Sequence, residues 1–254
     1  MANTLARILS QLRIPIPIAL GGTGKTTEFR KRHIDGLYMK YNSANSLTVT
    51  EGSAYIPGTG SILELTAPVI LSGLTLTANT WYHLYLYSNA GTPTLELVTT
   101  APDTPYFSTA RGKTGDASRR YVGSVLSAAA NTLHKFSHYD GEVQYHVYPE
   151  GAPFLLVLAA VITPTTINYS ALVPVTATHS VNMVLNSASD TTARFANPDF
   201  TNPLSNVLYD YFCARSASSI MVMGLSAAKT LQWRHDGAAN GNLLLGCIGY
   251  RFER

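Results

Sequence analysis

The sequence predicts a mainly β protein: a short N-terminal helix and an extended arm, followed by two β-sandwich-like domains. Three observations predict it. Only 13% of the residues are charged, against 46% apolar, and that charge is about half the usual share of a soluble domain. Fifteen Tyr accompany Thr, Ser, Gly and Pro throughout, a composition that favours strands and tight turns. From about residue 34 onward, short runs of apolar/polar alternation recur with Gly and Pro between them. A chain of 254 residues can bury one large core or two small ones. Its low charge points to surface buried against other copies of the same chain.

In chain order, residues 3–13 hold the one good helical pattern. Leu5, Ile8, Leu9 and Leu12 recur at i, i+3, i+4 and i+7, and Asn3 or Thr4 can cap the start. So short a helix is marginal alone, so these four side chains are expected to pack against symmetry mates or a socket on another protein. Arg13-Ile-Pro-Ile-Pro-Ile18 then forces an extended stretch, and Gly21, Gly22 and Gly24 form a turn cluster free to take positive φ. Residues 1–32 therefore read as an attachment arm. Residues 1–36 carry six Lys/Arg against two acids, and the remainder twelve against thirteen. The basic excess is mostly Arg30-Lys31-Arg32, short of a nucleic-acid patch, and no nucleic-acid partner is expected.

The β reading places strands at Ser46–Thr50, Ile62–Leu65, Leu74–Thr77, Trp81–Tyr87 and Leu95–Thr99, the last two joined by a hairpin turn at Ser88-Asn-Ala-Gly-Thr-Pro93. Tyr121–Leu126, Leu133–Phe136 and Val143–Tyr148 extend the first domain, residues 33–150. Pro149-Glu-Gly-Ala-Pro153 marks the boundary. The second domain, residues 151–254, holds strands at Phe154–Ile162, Val181–Leu185, Asn206–Phe212, Ile220–Leu225, Leu231–Arg234 and Leu243–Phe252. Ser187–Thr201 reads as a loop and Gly237-Ala-Ala-Asn-Gly-Asn242 as a hairpin turn. Several short strands at this spacing suggest sandwiches.

The Gly21–Thr27 segment, GGTGKTT, is not a nucleotide-binding loop. Counting back from Gly24-Lys25-Thr26 puts Ala19 where the phosphate-loop motif needs Gly, and a Pro-interrupted stretch stands where a buried strand belongs. His134, His138, Asp140, Glu142 and His146 are near one another, but without HExxH or a helical face they read as hydrogen-bonded side chains, and no metal or cofactor is expected. Cys213 and Cys247 lack CxxC spacing and read as small core residues. Asp190, Asp199 and Asp210 are too scattered to pick out a glycosidase pair, and Gly224-Leu-Ser-Ala-Ala228 lacks the final Gly of a nucleophile elbow. An enzyme is therefore not expected. Thr109–Arg120 reads as a solvated basic loop. The longest apolar run, Phe154–Ile162, is roughly half the length of a spanning helix, so no membrane insertion is expected.

Tyr209, Tyr211, Trp233, Arg234 and His235 combine aromatic faces with polar heads. Sugar-binding surfaces use such groups because rings cover apolar C–H patches while donors and acceptors meet hydroxyls. These five are the candidate ligand-binding residues, with Trp233-Arg234-His235-Asp236 expected as an exposed tip. The competing reading makes each a core aromatic.

Ile16-Pro-Ile-Ala-Leu-Gly-Gly-Thr-Gly-Lys-Thr-Thr27 resembles the proline-then-GGTG-then-Thr segment of tailed-bacteriophage tail-fibre proteins, departing from it at Lys25 and in the basic run that follows. Ala78–Tyr87, Val98–Pro102, Thr114–Val125 and the ending Ile248-Gly-Tyr-Arg-Phe252 resemble a β-rich module of phage virion proteins. The resemblance covers roughly residues 14–150. It implies a homotrimer in the virion, assembled in the host cytoplasm and attached by its N-terminus to another tail or baseplate protein. It also implies distal domains that bind a host-surface glycan or lipopolysaccharide. An architectural baseplate, collar or capsid-fibre part, and a polysaccharide depolymerase, are the alternatives.

Overall fold

The computed structural model describes residues 30–200, 204, 205 and 207–254. The expected helix with Leu5, Ile8, Leu9 and Leu12, and the GGTGKTT segment, lie outside the described residues. From residue 30 on, the chain is mainly β. The first strands are β1 (Ile34–Gly36), β2 (Met39–Ser43), β3 (Ser46–Val49), β4 (Gly52–Ile56), β5 (Ser61–Leu65) and β6 (Val69–Leu71). There follow β7 (Trp81–Asn89), β8 (Thr92–Val98), β9 (Gly112–Lys113), β10 (Asp116–Leu126), β11 (Phe136–Tyr139) and β12 (Glu142–Tyr145). The rest are β13 (Leu155–Ala159), β14 (Thr165–Asn168), β15 (Ala177–Asn186), β16 (Ala193–Ala196), β17 (Tyr211–Cys213), β18 (Ala217–Gly224), β19 (Thr230–His235) and β20 (Leu243–Phe252).

Antiparallel pairing sorts them into sheets. Two three-stranded sheets run β1-β4-β5 and β2-β3-β6, and a four-stranded sheet runs β8-β7-β10-β9. A six-stranded sheet runs β11-β12-β20-β15-β18 with β13 also on β20, and a second four-stranded sheet runs β14-β19-β16-β17. β7 and β8 form the expected hairpin, turning through Ala90 and Gly91, both at positive φ (48° and 89°). That is the geometry whose twist matches the flanking strands. β7 is buried on both faces: Tyr82, Leu84 and Leu86 on one side, His83 and Tyr85 on the other. Its neighbour β10 is buried from Arg120 to Leu126.

Strands from both sides of the Pro149–Pro153 boundary share the six-stranded sheet. Glu142, Val143 and Gln144 of β12 pair with Arg251, Tyr250 and Gly249 of β20. Gly249 permits this approach, because a Cβ there would overlap the carbonyl oxygen of Val143. Side chains reinforce the crossing. Tyr250 donates its hydroxyl to the Ser124 carbonyl at 2.7 Å, Tyr145 donates to the Leu172 carbonyl at 2.9 Å, and the Tyr121 and Thr176 hydroxyls meet at 2.9 Å. One hydrophobic cluster runs from Leu37 to Phe252.

Several strand expectations are corrected. Leu74–Thr77 is irregular, because Leu76 is buried by the loop while Thr77 gives its backbone N–H to the Tyr82 hydroxyl at 2.7 Å instead of to a ladder. The strand expected at Leu133–Phe136 starts only at Phe136. The expected loop Ser187–Thr201 contains β16. Gly237–Asn242 is not a hairpin turn but a crossover, since β19 and β20 belong to different sheets. The basic Thr109–Arg120 loop carries β9 and the start of β10. Lys113 and Arg119 both bind Glu96 (2.9 and 3.2 Å), and Arg120 is fully buried.

Because β20 closes the sheet that β11 and β12 belong to, residues 33–150 expressed alone are expected not to fold cooperatively. Circular dichroism with thermal melting tests this, and a sharp unfolding transition for that fragment would contradict it. A second expectation concerns acid. Burial pushes His83 down to about 4 from an ordinary 6.5. Burial, with the Arg254 guanidinium adding to it, pushes His138 down to about 3. Between those values and 6.5 the unfolded chain binds protons that the folded chain refuses. Stability is therefore full above 6.5 and lost as pH falls, by about 1.4 kcal/mol per pH unit for each histidine. Urea midpoints should drop steadily below pH 6.5; a flat profile down to about 4 would refute the buried neutral imidazoles.

Candidate ligand-binding face

The five candidate residues are sorted by strand alternation. Along β19, Leu231, Trp233 and His235 are buried while Thr230, Gln232 and Arg234 are partly exposed. Trp233 is 2% exposed and His235 0%. Trp233 sits opposite Phe195 of β16, which in turn sits opposite Tyr211 of β17. Tyr211, Phe195 and Trp233 thus form one inward row, since residues in register share a face. The Trp233 and His235 rings meet edge to face at 5.5 Å, and His235 Nε2 lies 3.3 Å from Asn186 Oδ1. Burial lowers the pKa of His235. The Tyr211 hydroxyl accepts the Gly224 N–H at 2.8 Å. The expected exposed tip is therefore a strand, and Trp233 and His235 belong to the core.

The outward row is a different set. Arg194 of β16 stands in register with Arg234 of β19 on one side and Phe212 of β17 on the other. Like charges directly opposite repel, and Asp236 offsets one of them. It accepts a two-pronged bond from Arg194, through Nε and, at 2.9 Å, Nη2. That bond raises the pKa of Arg194. The Arg194 guanidinium lies 4.1 Å from the Tyr209 ring centroid, and Tyr209 meets Phe212 edge to face at 6.0 Å. Arg234 gives its Nε–H to its neighbour's carbonyl, His235 O, at 3.0 Å, and has no ion pair among the described residues. Phe212 is 52% exposed and Tyr209 36%.

The structure thus brings Tyr209 and Arg234 to one outer face and places Tyr211, Trp233 and His235 elsewhere. Arg194, Phe212 and Asp236 complete the face; none of the three is among the five candidates, although Asp236 falls in the expected exposed tip and Phe212 ends the expected strand Asn206–Phe212. Phe212 was legible, because it alternates with Tyr211 and Cys213. Arg194 was not, because its four-residue strand is too short to show a period.

Other candidates have local roles. Asp210 accepts the Asn197 N–H at 2.6 Å, Asp199 the Ala227 N–H at 2.7 Å, and Asp190 the Asn240 N–H at 3.2 Å, so each carboxylate braces a loop. His138 Nδ1 accepts the Met39 N–H at 3.0 Å, the His134 ring packs on Phe154 at 4.9 Å, and His146 meets Ser137 Oγ at 2.8 Å. Among the described residues, no three His, Cys, Asp or Glu are grouped so as to hold a metal ion. Cys213 and Cys247 are buried free thiols, and burial pushes Cys247 up to about 12.

No family model matches the chain, and no curated protein matches it.

The division between inner and outer rows has a direct test. Trp233→Ala should cost about 3–5 kcal/mol by urea unfolding, the range for emptying a large aromatic site. Tyr209→Ala should cost roughly 1 kcal/mol or less. Equal losses would contradict the sorting.

Proposed function

We propose that the chain is a virion structural protein of the tailed-bacteriophage fibre type, which binds a host-surface glycan and does not cleave it. Residues 1–32 attach it to a tail or baseplate protein, three copies form the unit, and the sheets stack as a β-sandwich-like body. The glycan lies on the outer face of β16, β17 and β19. The observation that carries this reading is the cross-strand row Phe212–Arg194–Arg234 with Tyr209 stacked on Arg194. Exposed rings cover sugar C–H surface, and guanidinium N–H groups meet hydroxyls or an acidic substituent. The ladder and the Asp236 bond fix these groups before the ligand arrives, which reduces the entropy lost on binding. Threefold repetition converts weak single sites into avidity.

Light scattering on the full chain should give three copies; a monomer at about micromolar concentration, well above the nanomolar range of stable assemblies, would sink the trimer. Purified lipopolysaccharide should bind the full chain, and the Tyr209→Ala/Arg234→Gln double variant should bind it about tenfold more weakly, a loss of ~1.4 kcal/mol. Unchanged binding by the variant would remove this face from the account. Release of new reducing ends would favour the depolymerase, and virion incorporation without host binding the architectural part.

A further inference from the structure

A groove lies between β2 and β11. β2 and β11 are edge strands of different sheets that run beside each other without pairing. One directional bond spans them, the Met39 N–H to His138 Nδ1 at 3.0 Å, and the Tyr41 and Phe136 rings meet edge to face at 6.3 Å. Between the strands lies a cavity of about 360 Å³, within the range of small-ligand sites. Its floor is buried and apolar, made by Met39 and Phe136. Its rim is polar and cationic: Lys40, Lys135 and Tyr139 are exposed, and Ser137 Oγ meets His146 Nε2 at 2.8 Å.

The lysines are what identify the ligand. Of the five lysines among the described residues, Lys113 binds Glu96, Lys229 donates to the Ala177 carbonyl at 2.7 Å, and Lys31 lies over the Phe107 ring at 5.8 Å. The ammonium groups of Lys40 and Lys135 are the two left without a hydrogen bond, ion pair or ring contact among the described residues, and both residues line this groove. No Asp or Glu lines it. Glu142, in register with Tyr139 across the β11–β12 hairpin, is engaged by Arg251 and by Gln144 at 2.7 Å. An anionic group entering the groove therefore meets two uncompensated ammonium groups and no repelling carboxylate. Tyr41 and Tyr139 supply the ring surface that sugars pack on, and the Ser137–His146 pair supplies hydrogen-bonding groups for hydroxyls.

We infer that the β2–β11 groove binds an acidic saccharide, a sugar bearing a carboxylate or phosphate held between Lys40 and Lys135. The site is separate from the outer face of β16, β17 and β19 and does not rest on the fibre reading. Calorimetric titration of the full chain tests it with four probes: tri-galacturonate, glucose 6-phosphate, maltotriose and inorganic phosphate. One or both acidic sugars should bind at least about tenfold more tightly than maltotriose and than inorganic phosphate. The Lys40→Gln/Lys135→Gln variant, with both changes at exposed positions, should lose about tenfold for that sugar while its circular dichroism stays unchanged. Arg234→Gln should leave the binding intact, which separates this site from the one above. Three results would each overturn the inference: no acidic sugar binding at about 10 mM, far weaker than the millimolar scale of the poorest specific sites; equal binding by the double-lysine variant; or inorganic phosphate or maltotriose matching the acidic sugar.

Discussion

The fold hangs on the pairing of its last strand. β20 holds β13 and β12 in succession along one edge, Leu243–Gly246 against β13 and Gly249–Arg251 against β12, while β15 runs the length of its other edge. Two glycines make this possible. A Cβ at Gly249 would collide with Val143 of β12, and one at Gly246 with Pro149 in the connection between β12 and β13, so glycine at these positions lets β12 and that connection lie close against β20. The side chains of β20 then reach outward. Tyr250 bonds to Ser124, the Phe252 ring meets those of Tyr121 at 6.2 Å and His138 at 5.4 Å, and Arg254 donates to the Gly36 carbonyl at 3.1 Å. The final dozen residues therefore touch the beginning, middle and end of the described chain. Contacts of such sequence separation form late and slowly, because loop closure is opposed by entropy before the contacts stabilise anything.

This dependence explains which features were legible in the sequence. Class was legible, and so was the β7–β8 hairpin, because both are written in local signals: alternation, Tyr and Thr content, and a turn that tolerates positive φ at Ala90 and Gly91. Partnership was not. Pro149–Pro153 has the composition of a linker, yet hydrogen bonds from residues more than a hundred positions apart cross it. Leu74–Thr77 alternates like a strand but forms no ladder: the Leu74 N–H goes to the Asn45 carbonyl at 3.0 Å and the Thr77 N–H to the Tyr82 hydroxyl. Gly237–Asn242 has the composition of a hairpin turn, but only the sheet assignment reveals that its two flanking strands part company.

The same rule governs the candidate face. Sequence could pick out Trp233, Arg234 and His235 as chemically apt, and reading Leu231–Arg234 as a strand already implies that Arg234 faces away from Trp233. What sequence withheld was Arg194. Ala-Arg-Phe-Ala is too short for a period, and its partnership with Asp236, 42 positions away, exists only once β16 lies beside β19. The pairing in turn puts Arg194 opposite Arg234, and Asp236 pairs with the first of the two guanidinium groups only. A surface that keeps such a surplus in register either tolerates the repulsion or relieves it with an anion from outside.

Few charges make each unpaired one informative. Several of the described charges are paired locally: Glu96 holds Lys113 and Arg119, Glu142 holds Arg251, and Asp236 holds Arg194. Arg120 is the costly case. It is fully buried, gives one bond to the Arg111 carbonyl at 3.3 Å, and rests 5.6 Å from the Tyr106 ring without a carboxylate. Burial lowers its pKa to about 10, so it stays cationic at neutral pH and its desolvation counts against stability. Arg120 is sealed off and has no route to a ligand. Lys40, Lys135 and Arg234 are different, because they are unpaired at surfaces that also present aromatic rings and hydroxyls. In a chain this sparing of charge, cations left free beside rings are the groups that an acidic sugar can engage without first breaking an internal ion pair.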